Sequence, residues 1–415
     1  MHLNDLPASG PQLIPRLLEI APEIAAIRRD IHAHPELRFE EARTSALVAD
    51  LLEKWGYRLT RGLGGTGIVG SLSNGSSQRS VGLRADMDAL PLQEHNTFAH
   101  TSRHAGKMHA CGHDGHTAML LAAAQYLAET REFDGTVHLI FQPAEEGGAG
   151  AKRMIDDGLF ERCPCDAVFG MHNWPGIPVG SFGLRAGPMM ASSNEFEITV
   201  TGKGAHAAMP NLGVDSILIA CQIAQGLQLL ISREKKPIDT AVISITQIHA
   251  GDAFNVIPNE AVLRGTVRTF TIEVLDQIEA GMKRVAENIA SAFNAQIKFE
   301  FHRNYPPTVN HPDETVFAAS VMDGIVGADN VIRDREPTMG AEDFAFMLLE
   351  RPGAYVFIGN GDGAHRDAGH GLGPCMLHNP SYDFNDALIP LGATYWARLA
   401  QTWRSEEHTS ELQSP

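Results

Sequence analysis

The sequence predicts an α/β fold: a mixed sheet flanked by helices, in a discontinuous domain interrupted by an α+β insert. Three observations carry that expectation. Through residues 1–190, amphipathic helix-patterned stretches alternate with short apolar runs, as when strands are buried between helices. From about Ser192 the texture changes to strands with one wet face, and this persists to His302. Beyond it the first texture returns. The expected boundaries are therefore 1–190 and 303–403 for one discontinuous domain and 191–302 for the insert.

Leu13 to Arg29 places Leu13, Leu17, Leu18, Ile20, Ile24 and Ile27 on one face and predicts a helix. It runs toward His32-Ala33-His34-Pro35-Glu36, where the proline disfavours helix at the residue before it. Glu41 to Trp55 predicts a second amphipathic helix. Ser80 to Ala85 reads as a short buried strand ending in Asp86-Met87-Asp88, and strand ends are where α/β enzymes collect functional groups. The alanine-rich stretch His116 to Thr130 predicts a helix. Val137 to Phe141 is a strand that delivers Glu145 and Glu146 just past its end, and Ala167 to Met171 is another, ending at His172. In the insert, Glu195 to Thr201 alternates polar and apolar. A long apolar helix near Ser216 to Ser232 follows, then strands around Thr240 to Ile248 and Glu260 to Thr269, a helix from Ile272 to Phe293 and a strand from Gln296 to His302. Gly340-Ala341-Glu342-Asp343-Phe344, a strand from Ala354 to Gly359 and Leu377-His378-Asn379-Pro380 precede a final helix.

At 415 residues the chain is long enough for two domains with substantial cores, and 43% hydrophobic with 20% charged residues is ordinary for a globular protein. Fifty acidic against thirty-three basic residues give a formal charge of −17, which repels phosphate backbones and argues against nucleic acid as a partner. The opening Met1 to Pro7 lacks a basic segment followed by an apolar run, and no stretch approaches the roughly twenty apolar residues of a membrane span. A cytoplasmic enzyme without a membrane partner is expected. Cys111, Cys163, Cys165, Cys221 and Cys375 are odd in number and scattered, so they form no disulfide framework; Cys163-Pro164-Cys165 reads as a pair of loop thiols. Arg404 to Pro415 is polar, follows an apparently complete helix and looks like the translation of a sequencing-library adapter. It is set aside as a non-native tail, and a disordered natural tail would leave the functional reading unchanged.

The chemistry concentrates in Met108-His109-Ala110-Cys111-Gly112-His113-Asp114-Gly115-His116, a thiol and three imidazoles, and in Gln142-Pro143-Ala144-Glu145-Glu146-Gly147-Gly148, two adjacent carboxylates. Ions of the zinc type favour imidazole nitrogen, thiolate sulfur and carboxylate oxygen. A catalytic site also needs a carboxylate that is not consumed as a ligand and can take a proton from water, and adjacent Glu145 and Glu146 can divide those jobs. Cys111 with His113 two residues on reads as a ligand pair; a thiolate lying between two cations needs no base of its own, because coordination deprotonates it. His109 and His116 read as supporting or helix-facing groups, and Asp114 as an acceptor that orients a histidine. Asp86 and Asp88, two apart on a strand, point to one side as supports for ligand histidines. His34 and Glu36 either frame the pocket or cap a turn.

These motifs resemble a known family, the dinuclear metallo-amidohydrolases that include hippurate hydrolases, bacterial aminoacylases and plant auxin-conjugate hydrolases. The resemblance spans residues from about 13 to 403. It rests on His32-Ala33-His34-Pro35-Glu36-Leu37, Arg84-Ala85-Asp86-Met87-Asp88-Ala89-Leu90-Pro91, the Cys111 segment, the double glutamate, Met171-His172-Asn173, Gly202-Lys203-Gly204-Ala205-His206-Ala207-Ala208, Asn255-Val256-Ile257-Pro258 and Leu377-His378-Asn379-Pro380. It implies two divalent metal ions per subunit (zinc, manganese, cobalt or nickel) held by Cys111, His113, Glu146, His172 and His378, with Glu145 as general base. It also implies that the insert forms a homodimer as a lid, and that His206 and Asn255 steady the tetrahedral oxyanion. The implied substrate is a small N-acyl amino acid. Arg268, in Arg264-Gly265-Thr266-Val267-Arg268, is either the group that grips its carboxylate or one half of a strand-edge salt bridge. A dipeptidase or carboxypeptidase on the same scaffold is the alternative; the cysteine in Cys-Gly-His-Asp favours the amidohydrolase, because the peptidase relatives usually place aspartate there. A metal store is a third reading, and it leaves Glu145 without a purpose.

Overall fold

The computed structural model describes residues 10–366 and 368–403, so the readings of Met1 to Pro7 and of Arg404 to Pro415 fall outside the described residues. The chain forms two compact units. Of the described residues, the first comprises 10–187, 310–336 and 346–403, and the second Pro188–Val309 and Pro337–Ala345.

The first unit is built on an eight-stranded mixed sheet. Its strands include β1 (Arg58–Leu63), β2 (Gly67–Asn74), β3 (Ser80–Asp86), β4 (Gly135–Gln142), β5 (Ala167–Pro175) and β6 (Phe182–Gly183), in the order β1, β2, β4, β3, β5, Gly353–Gly361, β6, Val331–Ile332. β4, β3 and β5 run parallel, as does Gly353–Gly361 beside β5, while β1 and β2 are antiparallel. The central strands are buried because both faces of the sheet are covered: every residue of β3, Arg84 and Asp86 included, is buried. Helices α1 (Pro15–Ala33), α2 (Ala42–Lys54) and α3 (His113–Thr130) flank the sheet, with α1 and α3 packed on each other and on the final helix Leu388–Thr402.

The second unit is a four-stranded antiparallel sheet in the order Ala241–Ala250, Glu260–Thr269, Ser193–Thr201, Gln296–Tyr305. Ser193–Thr201 alternates buried and partly exposed residues, the expected single wet face. Its inner residues Phe196, Ile198 and Val200 share a core with Ile219 and Ile223 of the helix Ser216–Leu229 and with Ile278 and Met282 of the helix Ile272–Ala292. Both helices begin at side-chain caps. Asp215 Oδ1 accepts from the backbone N–H of Ile217 and Leu218 at 3.0 and 3.1 Å, and Thr271 Oγ1 accepts from Val274 N–H at 3.2 Å.

Several boundaries differ from the sequence pattern, each for a physical reason. α1 continues past Arg29 through His32, because Arg28, Ile31 and His32 are all buried on its inner face. α3 starts at His113, not His116: Gly112 turns the chain at φ 94°, so Asp114 enters the first turn, where the helix dipole favours an acid. β5 extends through Pro175, which puts His172 and Asn173 inside the strand. β3 stops at Asp86, so Asp88 lies beyond the strand. Ser216–Glu234 departs from the expectation of no membrane-length apolar segment: its mean hydropathy is 1.2 over a span-length window. Ile219, Ile223, Leu227 and Leu230 are buried in the core of the second unit, whereas Ile217, Leu218 and Leu229 are exposed.

Candidate metal centre

The parallel register assembles the site. Asp86 at the end of β3 lies opposite Gln142 at the end of β4, so Glu145 and Glu146 emerge beside it, and Arg84 of β3 lies opposite Gly170 of β5, two residues before His172. The Cys111 loop reaches the same edge through Gly112, where a Cβ would stand 2.3 Å from Asn173 Oδ1, so only glycine fits. His378 takes φ 61°, and its N–H donates to Ala110 O at 2.8 Å, tying its loop to the Cys111 segment.

The result is a chain of overlapping donor sets. Cys111, His113 and His172 form one, Cys111, Glu146 and His378 a second, and His113, Glu145 and Glu146 a third; within each set the ligand atoms lie within 4.8 Å of one another. Cys111 Sγ is 3.3 Å from His172 Nε2, and His378 Nε2 is 3.1 Å from Glu146 Oε1. Two sets sharing one sulfur suit a pair of ions. The donor set also fits cations by what it lacks: among the described residues His113 Nε2 is buried without a hydrogen-bond partner, a costly state unless something else engages it.

The histidines are aimed by their second nitrogens. His172 Nδ1 donates to Asn173 O at 2.6 Å, which leaves Nε2 as the lone-pair donor toward Cys111, and burial, then His116, holds its pKa well below the ordinary value. His113 Nδ1 lies 3.2 Å from Asp88 Oδ1, and Asp86 Oδ2 is 3.7 Å from His113 Nε2. His116 uses both nitrogens internally: Nδ1 faces Asp86 at 2.6 Å, and Nε2 accepts from Asn173 N–H at 3.0 Å, so it is engaged as a support. His109 is buried and neither nitrogen has a hydrogen-bond partner; burial lowers its pKa to about 4.

The field at the site is strongly negative. Burial pushes the Cys111 thiol well up, and Glu146, Glu145 and Asp86 push it further. Burial opposes charge on His113, but Asp86, Asp88 and Glu146 raise it to about 10. Burial likewise opposes ionisation of Asp86, yet His113, Arg84 and His116 hold it well below the usual carboxylate range. Divalent cations would replace the protons on Cys111 and His113.

Asp114 does not reach a candidate donor. It accepts from Arg28 at 3.2 Å and faces His32 Nδ1 at 2.9 Å, and Arg28 also binds Asp383 at 3.1 Å and Asp386 at 2.8 Å, all but Asp386 being buried. This network joins α1, the start of α3 and the segment before the final helix. The sequence carried one sign of it: Arg28 stands where the apolar spacing Leu17, Ile20, Ile24, Ile31 calls for a core residue. Glu36 accepts from Arg43 and Thr44 N–H, each at 2.8 Å, and so caps α2.

In the second unit His206 and Asn255 are brought together. His206 pairs with Val256 in a two-stranded ribbon, and Ala207 N–H donates to Asn255 O at 2.9 Å; both side chains are exposed. Arg268 is half-buried, donating to Thr266 Oγ1 and to Val267 O; burial lowers its pKa and Glu195 partly offsets this.

Comparison with known proteins follows the same lines. The sequence profile of peptidase family M20/M25/M40 matches residues 82–402. The chain is 42% identical over 388 residues to hippurate hydrolase of Campylobacter jejuni, covering 94% of this chain and 98% of that enzyme. It is 39% identical over 389 residues to thermostable carboxypeptidase 1 of Saccharolobus solfataricus, covering 92% and 95%. Among solved structures, the YXEP protein of Bacillus subtilis, described as a dinuclear metal-binding peptidase of the M20 family, superposes with a TM-score of 0.79 at 34% identity, over 92% of this chain and 98% of that one.

Two outcomes follow from the electrostatics. Loading metal-free protein with two equivalents of Zn²⁺ near neutral pH displaces the Cys111 and His113 protons, so about two protons per chain are released, and Cys111→Ala releases about one fewer. An indicator dye in weak buffer reads this, and silence on loading would remove the thiol and imidazole from the ligand set. For His32, burial alone would lower its pKa, but Asp114 and Glu94 raise it to about 10. A folded pKa above the unfolded value of about 6.5 contributes stability that is complete below that value and is lost as pH rises through the folded one. The melting temperature of the parent therefore falls more steeply than that of His32→Gln between pH 7 and pH 10, and parallel slopes would contradict the assignment.

Proposed function

The chain belongs to peptidase family M20/M25/M40, and from that premise we propose that it hydrolyses the amide bond of N-acyl amino acids, of the hippurate or N-acetyl type, to a carboxylic acid and an amino acid. The observation that carries this reading is the pairing of Glu145 with Glu146: one carboxylate shares a donor set with Cys111 and His378, and both lie within 4.8 Å of a ligand atom of His113 in an overlapping set. The similarity to hippurate hydrolase supports the substrate class.

In this reading Cys111, His113, Glu146, His172 and His378 hold two divalent ions, of zinc, manganese, cobalt or nickel. Bound ions of this kind acidify water and polarise a carbonyl. Asp86 and Asp88 keep His113 and His116 oriented. Glu145 takes a proton from the attacking water and hands it to the departing amine nitrogen, which makes one residue base and then acid. His206 and Asn255 donate to the oxyanion, and Arg268 grips the substrate carboxylate with its planar fork. The second unit acts as a lid and dimerisation domain, and each subunit of a homodimer lends His206 to its partner's site.

Glu145→Gln keeps the size and removes the base. Turnover falls by at least about a hundredfold while metal content stays at the parental value, and activity above one per cent of the parent would overturn the assignment. On hippurate, N-acetyl amino acids and dipeptides, with each of the four metals added, kcat/KM is highest on an N-acyl amino acid; a preference for dipeptides would transfer the chain to the peptidase reading.

The shared site is tested by mixing inactive Glu145→Gln with inactive His206→Ala chains. If His206 acts across the interface, each mixed dimer holds one intact site, and random exchange restores roughly a quarter of parental activity. Native mass measurement of tagged chains verifies exchange, and proven exchange with no recovery excludes the shared site.

A further inference from the structure

Glu41 closes α2 at its N-terminal side and is fully buried, yet among the described residues no cation pairs with it. Its carboxylate is filled instead by hydrogen-bond donors. Oε1 accepts from the backbone N–H of Phe39 and of Ala144, each at 2.9 Å, and Oε2 accepts from Thr66 Oγ1 at 2.6 Å. Burial pushes the carboxyl up to about 7, against the accepted hydrogen bonds, which favour its charged form.

Both backbone donors belong to residues in the left-handed region, Phe39 at φ 64° and Ala144 at φ 54°, a conformation that side-chain-bearing residues avoid unless the surroundings impose it. Ala144 immediately precedes Glu145. On the other side of Glu145, the N–H of Glu146 donates to Asp88 Oδ2 at 2.9 Å. The backbone of the double glutamate is thus held at both flanks by buried carboxylates. The segment that carries Glu41 reinforces the grip, because Arg38 donates to Gly147 O at 3.0 Å. Residues 38–41 lie outside the stretch 82–402 that the family profile matches.

We infer that Glu41 is a positioning residue: it imposes the left-handed turn at Ala144 that aims the Glu145 carboxylate. The inference rests on Glu145 being the base. Its role is that of an acceptor, so Gln at this position, which keeps one oxygen for Phe39 and Ala144, preserves it, whereas Met, of similar length, leaves both N–H groups without an acceptor.

The test uses the metal-loaded full chain, with steady-state kinetics on the best substrate of the screen, metal per chain and melting temperature as readouts. Misplacing a catalytic group by about 1 Å costs about a hundredfold, so Glu41→Met is expected to lower kcat by about ten- to a hundredfold, with KM and metal content at parental values. Glu41→Gln is expected to keep kcat within about threefold, with an unchanged pH profile. A Glu41→Met enzyme with parental kcat beside an inactive Glu145→Gln enzyme would overturn the inference and leave the base assignment standing. Loss of metal in Glu41→Met, or a Gln variant as poor as the Met variant, would also overturn it. An active Glu145→Gln enzyme overturns the base assignment first. If Glu41→Met does not fold, Glu41→Ala, which removes the acceptor of Ala144 N–H without adding bulk, decides: a lowered kcat at parental metal content supports the role, and a parental kcat removes it.

Discussion

Negative charge that water cannot reach must be neutralised, and this constraint organises the first unit. Asp86, Asp88, Glu145 and Glu146 converge with a buried thiol at one edge of the sheet. Leaving such groups uncompensated costs several kcal/mol per ion. Part of the compensation is internal, as where Arg84 donates to Asp86 at 2.7 Å. The rest falls on protons at Cys111, pushed up by burial and by the carboxylates, and at His113, raised by Asp86, Asp88 and Glu146, whose buried imidazole Nε2 has no hydrogen-bond partner among the described residues. A donor set in that state is one that divalent cations complete.

The backbone meets this demand with few special positions. β3, β4 and β5 are parallel neighbours, so their C-terminal ends lie at one edge, and strand spacing of about 4.8 Å sets the distances between the groups they deliver. The loops that follow must turn sharply to bring their side chains back over that edge. Gly112 does so without cost, while Ala144 and His378 do so in a conformation that each disfavours by roughly 1–3 kcal/mol. The hydrogen bonds Ala144 N–H to Glu41 and His378 N–H to Ala110 O hold those turns. A second buried charge system, Arg28 with Asp114, Asp383 and Asp386 beside His32 and Glu94, fixes the start of α3 against α1 from beneath. The residue after the ligand candidate His113 is thereby immobilised without touching the donors.

What the sequence determined by itself was chemical type and local period. Thiol, imidazole and adjacent carboxylates in short motifs define a donor set whatever surrounds them, and unbroken apolar runs define strands buried on both faces. The strands carrying Asp86 and the double glutamate, and the helices of the second unit, were legible on that basis. Tertiary structure decided the use of groups whose partners lie far along the chain. Glu41 meets Ala144 across 103 residues, and Arg28 meets Asp383 across 355, and no periodic pattern spans such distances. The same reason applies to Asp114: its motif suggested an acceptor that orients a histidine without saying which one, and on a helix neighbouring side chains point apart, so its carboxylate goes to His32 and Arg28. It also explains α1, which outran its apolar pattern because charged residues can occupy a buried face once distant partners satisfy them.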